Sequence, residues 1–299
     1  MNKKRVLAML LAGAMALSMT ACGGGNSAST DDSSNDGGAS ASGGSYKVSV
    51  ILKTLAAEYW QYVKSGAEDY AAEHSDKVTV EVKGPSSETA FDEMQNMIET
   101  DLSSGSYDGL IISPLQSDTA AQLVSGTKLP IVAVDTNFEA PEVISYVGTG
   151  NEAAAKKGAA AAVDAAKAAG WDEIKCIEIA GVQGDETCAA RMRGYEAGVN
   201  EAGGEFLANE VQYADATADR ATTAMEAIMQ THPEGIAIIC AHNDDTAMAA
   251  ARAAKGHEAF KNTIFLGFNG DRAACEAILA GQETMSVIQD AYGMGYKAV

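Results

Sequence analysis

Basic residues are scarce in this chain of 299 residues: 21 Lys and Arg stand against 41 Asp and Glu, a formal net charge of −20. A nucleic-acid-binding surface needs concentrated positive charge, so this balance argues against a nucleic-acid partner. Hydrophobic residues make up 46% of the chain, which excludes a disordered protein. At roughly 150 residues per domain, the length predicts two domains.

Motifs for catalysis and metal binding are missing. There is no CxxC or Cys/His spacing of a metal site, no GxSxG and no phosphate-binding loop. The sequence therefore predicts neither an enzyme nor a cofactor nor a metal centre. Cys176 and Cys240 lie in apolar runs that favour buried thiols. A disulfide among these two, Cys188 and Cys275 stays open for a protein outside the cytoplasm.

A long hydrophobic run is missing too, because the apolar stretch 6–17 has only 12 residues and cannot span a bilayer as a helix. Lys3, Lys4 and Arg5 precede it, and small residues follow it up to Cys22. This order is typical of a secretory signal peptide over 1–21. Cys22 after a small residue resembles a bacterial lipoprotein cleavage site, and it would then carry the lipid that anchors the protein to the cell membrane. An ordinary signal peptide with an incidental cysteine is the alternative.

Residues 23–45 contain only Gly, Ser, Ala, Thr, Asn and Asp, so they can bury no apolar area and are expected to stay disordered. A flexible chain of this length reaches about 25–30 Å. We interpret 22–45 as a tether between the lipidated cysteine and a folded body outside the cytoplasm.

From Tyr46 onward, short apolar runs alternate with Ala-rich helical stretches. Predicted strands are 47–54, 78–83, 109–113, 130–135, 144–148, 175–181, 205–212, 236–242, 263–269 and 284–289. Predicted helices are 58–74, 88–104, 117–126, 151–169, 187–202, 217–230, 244–255 and 271–280. Nearly continuous apolar strands are typical of parallel sheets covered on both faces. The alternation predicts an α/β protein with doubly wound parallel sheets.

Polar residues stand at the ends of these predicted strands, where open α/β sheets bind ligands. They are Lys53, Asp135, Asn243, Asn269 and Gln289, joined by Tyr59, Trp60 and Arg191 near helix starts. Each has a structural alternative. Asp135 and Asn243 suit helix N-caps, Lys53 and Arg191 suit solvated surface positions, and the two aromatics suit a core. The pattern as a whole favours a ring of hydrogen-bonding groups around one ligand.

The chain resembles the type I periplasmic sugar-binding proteins, and within them the binders of D-allose and D-ribose. The resemblance covers 46–299 and rests on ordered stretches: ILKTLAAEYWQYVKSGAEDYAAE, GPSSETAFDEMQNMIETDLSSGSYDGLIISPLQSD, PIVAVD, CAARMRGYEAG, IICAHNDDTAMAAARA, FLGFNGDRAA and SVIQDAYGMGYKA. It implies two α/β lobes joined by three crossing segments. The N-terminal lobe would be 46–149 with 290–299 returning to it, and the C-terminal lobe 150–289. The third crossing would lie beyond Val299, which suggests a truncated sequence.

The resemblance also implies roles for the ligand-binding residues. Lys53 and Arg191 match cationic positions, Trp60 the stacking aromatic, Asp135 the carboxylate that binds hydroxyls, and Asn243 and Gln289 amide positions. Three departures stand out: Asn269 replaces an aspartate, Ala216 an aromatic and Ala57 an asparagine. The lost aspartate predicts a cleft about one charge more positive than in relatives, and the lost aromatic opens one side of the stack unless Tyr213 fills it. Asn269 and Ala216 together favour a ligand that is bulkier or carries an acidic or keto group. The alternative is an ordinary hexose, with other side chains filling the gap.

The function implied is the substrate-binding lipoprotein of a bacterial ABC importer, a monomer that closes on a small sugar-like ligand and docks on a permease. The alternative is a signal receptor of the same fold, for a furanosyl autoinducer or as partner of a membrane sensor. The stretch YADAT and Lys53 resemble such receptors, whereas CAARMRG resembles the sugar binders.

Overall fold

The computed structural model describes residues 45–299, in which parallel strands alternate with helices. The predicted signal peptide, Cys22 and all but the last residue of the predicted tether lie outside the described residues. The strands are β1 Tyr46–Ile51, β2 Val78–Lys83, β3 Gly109–Ile112, β4 Ile131–Val134, β5 Val143–Val147, β6 Lys175–Ala180, β7 Glu205–Phe206, β8 Gln212–Tyr213, β9 Ile238–Ala241, β10 Ile264–Asn269 and β11 Met285–Ile288. The helices are α1 Glu58–Glu73, α2 Phe91–Ser104, α3 Ser117–Val124, α4 Asn151–Ala168, α5 Glu186–Glu201, α6 Ala218–Thr231, α7 Asp244–Ala254, α8 Arg272–Leu279 and α9 Ala291–Ala298.

Two parallel sheets organise these elements. The N-terminal sheet has the order β2-β1-β3-β4-β5, and the C-terminal sheet has the order β11-β10-β9-β6-β7 with β8 also paired to β6. The fold class is the predicted one. The central strands β3, β9 and β10 are buried throughout, as their continuous apolar sequences require when helices cover both faces.

The chain passes between the sheets at two places. Residues 148–150 lead from β5 to α4, which packs on α5 and on the C-terminal sheet. Residues 289–290 lead from β11 to α9, which packs against α1 on the N-terminal sheet. We call the body around β1–β5, with α9, the N-terminal lobe, and the body around β6–β11 the C-terminal lobe.

The predicted strand 205–212 is wrong in its middle. The structure has two short strands, β7 and β8, separated by the 3-10 turn Ala208–Glu210. β7 pairs with Lys175 and Cys176 at the start of β6, whereas β8 pairs with Ile179 and Ala180 at its end. The turn carries the chain from one end of β6 to the other, so a single continuous strand does not form.

Candidate functional site

The carboxyl ends of the strands from both lobes face one another and enclose a cavity between the lobes. We call it the interlobe cavity, and its lining is Lys53, Ala57, Tyr59, Trp60, Glu88, Asp135, Thr187, Arg191, His242, Asn243, Asp245, Asn269 and Asp271. Seven of the eight residues proposed from the sequence are in this lining. Parallel strands bring their carboxyl ends to one edge of the sheet, which is why polar residues far apart in the chain meet here.

Asp135 follows β4 and is 3% exposed. Its Oδ2 accepts a hydrogen bond from the Tyr59 hydroxyl at 2.6 Å, and its Oδ1 accepts one from Thr136 Oγ1 at 2.9 Å. Its φ of 62° is a left-handed conformation that aspartate tolerates better than most residues, so Asp135 is not the N-cap that was its alternative role. Burial, and then Asp135, raise the pKa of Tyr59 well above its usual value. Tyr59 therefore remains a neutral donor, and the carboxylate keeps acceptor positions for ligand hydroxyls.

Trp60 is an aromatic wall of the cavity and is 3% exposed. Its indole nitrogen donates to Glu88 Oε1 at 2.9 Å, and its ring meets Tyr59 edge to face at 5.0 Å. Both aromatics also belong to the apolar cluster of the N-terminal lobe. A place in the core and a place in the cavity lining are thus compatible, because one end of each side chain is apolar and the other polar.

Lys53 forms an ion pair with Asp185, the N-cap of α5, and both side chains are almost completely buried. Burial opposes the charge on Lys53, but the carboxylates of Asp185, Glu88 and Asp135 outweigh it and raise the lysine pKa. Lys53 is therefore not a solvated surface charge. It lines the cavity as a cation whose counter-charge comes from the other lobe.

Arg191 lies on the inner face of α5 and is 3% exposed. Its Nε donates to Asn151 Oδ1 at 3.0 Å, its Nη1 donates to the His242 carbonyl at 2.6 Å, and its guanidinium stacks on Phe268 at 3.8 Å. Burial, then Arg191 and Lys53, lower the pKa of His242 well below its usual value, which keeps that ring neutral. The C-terminal lobe thus presents one fixed guanidinium at the cavity.

Two amide side chains line the cavity, and a third stands behind one of them. Asn243 is the N-cap of α7 and forms a capping box with Thr246, so its structural alternative and its place in the cavity are both correct. Asn269 accepts a hydrogen bond from Gln289 Nε2 at 2.9 Å and donates to Asp271 Oδ2 at 3.2 Å. Gln289 is not in the cavity lining, and it supports Asn269 from behind.

Sequence reasoning missed the acidic side of the cavity: Glu88, Asp245 and Asp271, together with Asp185 behind Lys53. Four carboxylate residues line the cavity beside Lys53 and Arg191, so the sequence analysis undercounted its acidic groups. A cleft more positive than in relatives stays a prediction. Asp271 stands two residues after Asn269, where the resembling family has an aspartate, and also lines the cavity. Burial raises the pKa of Asp271 to about 7, with nearby Asp244, Asp245 and Glu58 adding to the effect. A signal was present in the sequence, since Asp245 and Asp271 each follow a proposed residue by two positions.

The other two departures lie in different surroundings. Ala57 lines the cavity. Ala216 is buried at a φ of 58° and its carbonyl accepts from Asn243 at 3.3 Å, but it is not part of the lining. Tyr213 is 44% exposed and does not line the cavity either. Ala216 therefore contacts the cavity lining through Asn243.

Three further observations concern the rest of the described chain. A larger groove runs between residues 251–265 and 280–284, at the amino ends of β10 and β11, and it contains none of the proposed site residues. Within residues 45–299 there is no group of three or more His, Cys, Asp and Glu that could hold a metal ion. None of the helices in that range has the length and apolar character needed to cross a bilayer.

Two lobes of parallel sheet with a polar, partly aromatic cavity between them define a two-lobe ligand-binding protein. The chain belongs to the periplasmic binding protein domain family, whose model matches residues 48–299. It is 29% identical over 257 residues to the D-allose-binding periplasmic protein of Escherichia coli (strain K12), covering 83% of this chain and 80% of that protein.

Solved structures share the fold. An ABC transporter solute-binding protein of Actinobacillus succinogenes 130z with bound D-allose is 21% identical, with a TM-score of 0.72 over 85% of this chain and 88% of that one. A carbohydrate transporter solute-binding protein of Agrobacterium radiobacter in complex with D-arabinose is 22% identical, with a TM-score of 0.75 over 85% of this chain and 86% of that one.

Proposed function

We propose that this chain is the substrate-binding component of a bacterial ABC importer and holds a small neutral sugar in the interlobe cavity. The observation that carries the proposal is the cavity itself, where Asp135, Asn269 and Arg191 offer hydrogen-bonding groups beside the Trp60 indole. Carboxylate, amide and guanidinium groups match sugar hydroxyls, and an indole covers the apolar face of a sugar ring. The family membership and the sugar-binding relatives support this function. The alternative receptor for a furanosyl signal has no support from the relatives described above.

The charge of the cavity supports a neutral ligand rather than the acidic one that the sequence suggested. Asp185 already pairs with Lys53, so the lysine is not available to balance a ligand carboxylate. Asp135 lines the same space and would repel an anionic ligand, whose charge would also raise the pKa of Asp271 further. Binding without chemical conversion also means that the ligand should be recovered unchanged.

Calorimetry on the full chain tests the ligand class. The panel contains D-allose, D-ribose, D-arabinose and myo-inositol as neutral compounds, and glucuronate and galacturonate as matched sugar acids. We expect a neutral compound to bind with micromolar affinity, about −8 kcal/mol, and the acids to bind at least tenfold more weakly. Tighter binding of a sugar acid than of the neutral compounds would contradict a neutral ligand. Absence of binding by every compound of the panel would contradict the sugar proposal.

Asp135→Asn tests the central residue. Asparagine tolerates the left-handed backbone at this position, so the fold should survive, while two charge-assisted hydrogen bonds to the ligand become neutral ones. At about 1.5–3 kcal/mol for a bond to a charged group, we expect affinity to fall on the order of 100-fold. Asp92→Asn on the exposed start of α2 is the matched control and should bind normally. Unchanged affinity in Asp135→Asn would remove Asp135 from the site.

The anchor and the partners belong to the same proposal. Signal cleavage before Cys22, with a lipid on that cysteine, would place the folded body at the outer side of the cell membrane within reach of permease subunits. Its sequence support is the order of charge, apolar run and cysteine over 1–22. Cys22→Ser should move the protein from the membrane fraction to the soluble fraction of the producing cells. Light scattering of the soluble form should give a monomer mass.

A further inference from the structure

The first turn of α5 touches the opposite lobe through two side chains. Asp185 and Thr187 belong to the C-terminal lobe, whereas Lys53 and Thr136 follow β1 and β4 of the N-terminal lobe. The Lys53 ammonium pairs with Asp185 Oδ2, and the Thr136 and Thr187 hydroxyls meet at 2.8 Å. Both contacts are buried and both cross from one lobe to the other.

The start of α5 fixes the orientation of the Asp185 carboxylate. Asp185 Oδ1 accepts a hydrogen bond from the Thr187 backbone nitrogen at 2.8 Å, which is the N-cap bond of α5. The other oxygen, Oδ2, is thereby aimed at Lys53. The two side chains are 1% and 2% exposed, so the charges balance each other out of contact with water. Burial of an unpaired charge is unfavourable, and the pair removes that cost only while the lobes touch.

We propose that Asp185 is a positioning residue that holds the two lobes together through its ion pair with Lys53, and so sets the lifetime of the bound ligand. The link to ligand lifetime rests on the proposed sugar-binding function. When the lobes separate, both charges return to water and the pair contributes nothing. The pair therefore stabilises only the closed arrangement, in which the two lobes touch. Helix α5 is the element through which the C-terminal lobe is held to the N-terminal lobe.

Asp185→Asn separates this role from helix capping. Asparagine is as good an N-cap as aspartate, so α5 keeps its first turn while the charge disappears. Lys53 would then be buried in the closed arrangement without its partner, which favours separated lobes. The matched control is Glu186→Gln. It removes a carboxylate one residue further along the same helix, where Glu186 is exposed and pairs with Arg193 of α5.

The distance between the lobes is the first measurement and needs no ligand. Spin labels go on the natural exposed Cys275 of α8 and on Ser103→Cys at the end of α2, in a Cys22→Ser background. Double electron–electron resonance should show Asp185→Asn shifted from short to long distances, and Glu186→Gln unchanged. An Asp185→Asn distribution equal to that of the parent protein overturns the proposal.

Ligand kinetics supply the second measurement, with D-allose as the probe and Trp60 fluorescence as the signal. We expect Asp185→Asn to speed dissociation at least tenfold and to leave the association rate nearly unchanged. Lys53→Met combined with Asp185→Asn should cost no more affinity than Lys53→Met alone. Additive losses of affinity would overturn the proposal that the two residues act as one ion pair. A distance shift with no response to D-allose or any other sugar of the panel would overturn the sugar function and leave the contact between the lobes standing.

Discussion

Glu178 lies inside β6, and both of its carboxylate oxygens are buried without a hydrogen-bond partner. Burial raises its pKa to about 8, against which the nearby Arg191 acts in the opposite direction. The folded chain therefore holds a proton that the unfolded chain releases above its ordinary pKa of 4.5. It follows that the contribution of Glu178 to the free energy of unfolding falls as the pH rises from about 4.5 to about 8.

Glu178→Gln tests this, because a neutral amide has no proton to lose. Urea unfolding at pH 5, 6.5 and 8 should show the variant losing less stability with rising pH than the parent protein, by up to about 1.4 kcal/mol per pH unit. Glu196→Gln on the exposed face of α5 serves as the control and should follow the parent. Parallel pH curves for Glu178→Gln and the parent protein would mean that the carboxyl titrates alike in both states.

Asn269→Asp tests one of the positions at which this chain departs from the family that it resembles. Its amide nitrogen now donates to Asp271 Oδ2 at 3.2 Å, so an aspartate would replace a donor by a second carboxylate. We expect the pKa of Asp271 to rise further and the variant to be less stable than the parent at pH 8, with much of the loss recovered near pH 6 as one carboxyl takes a proton. Thermal unfolding at both pH values measures this. Asn209→Asp on the exposed 3-10 turn is the control, and equal losses at both pH values would contradict the shared proton.

At the scale of elements, α9 is the segment that returns to the N-terminal lobe, and glycines let it approach α1 closely. A Cβ placed at Gly295 would lie 1.9 Å from the Val63 carbonyl oxygen, and one at Gly66 would lie 2.0 Å from the Tyr292 carbonyl oxygen. No side chain fits there unless the helices move apart. The packing of α9 on α1 thus depends on small residues on both partners.

Gly295→Ala measures this contact. In an isolated helix alanine is more favourable than glycine by about 1 kcal/mol, so a free helix face would gain stability. Here we expect a loss of about 1–3 kcal/mol from overpacking instead. Gly150→Ala is the control, because a Cβ at Gly150 has nothing within 4 Å. A stabilised Gly295→Ala variant would show that α9 does not dock as closely in solution.

At the scale of the whole molecule, the cysteines report how the C-terminal lobe shields its interior. Cys176, Cys188 and Cys240 are buried in the C-terminal lobe, whereas Cys275 is exposed. Burial raises the pKa of the Cys188 thiol to about 12 and that of Cys240 well above its usual value, which removes the reactive thiolate. The sulfurs of Cys176 and Cys240 lie 3.4 Å apart and carry no disulfide in this structure.

In a Cys22→Ser background we expect a thiol reagent to modify one cysteine of the folded protein, Cys275, and four after unfolding. Cys275→Ser should abolish the reaction of the folded protein. Mass spectrometry counts the modified residues. A count of two after unfolding without reductant would mean that Cys176 and Cys240 had been joined by oxidation.

Local sequence pattern by itself predicted most of the secondary structure and most of the residues that line the cavity. Apolar runs and Ala-rich stretches predicted the strands and helices to within a few residues, except at 205–212, because burial on both faces leaves a clear signal in parallel strands. Lys53, Asp135, Asn243 and Asn269 reach the cavity because a residue at the end of a parallel strand stands at the carboxyl edge wherever the strand lies in the sheet. Tyr59, Trp60 and Arg191 reach it from the helices that follow β1 and β6.

Contacts between the lobes and between distant loops could not be predicted from the sequence alone. Lys53 and Asp185 are 132 positions apart, so no spacing rule joins them, although their pair neutralises one of the two cations of the predicted site. Gln289 stands behind Asn269 instead of in the cavity, and Ala216 lies beneath Asn243 at a positive φ. Local periodicity specifies which way a side chain faces relative to its own element. Which charge it meets depends on how the two sheets are set against each other, and that relation exists only in three dimensions.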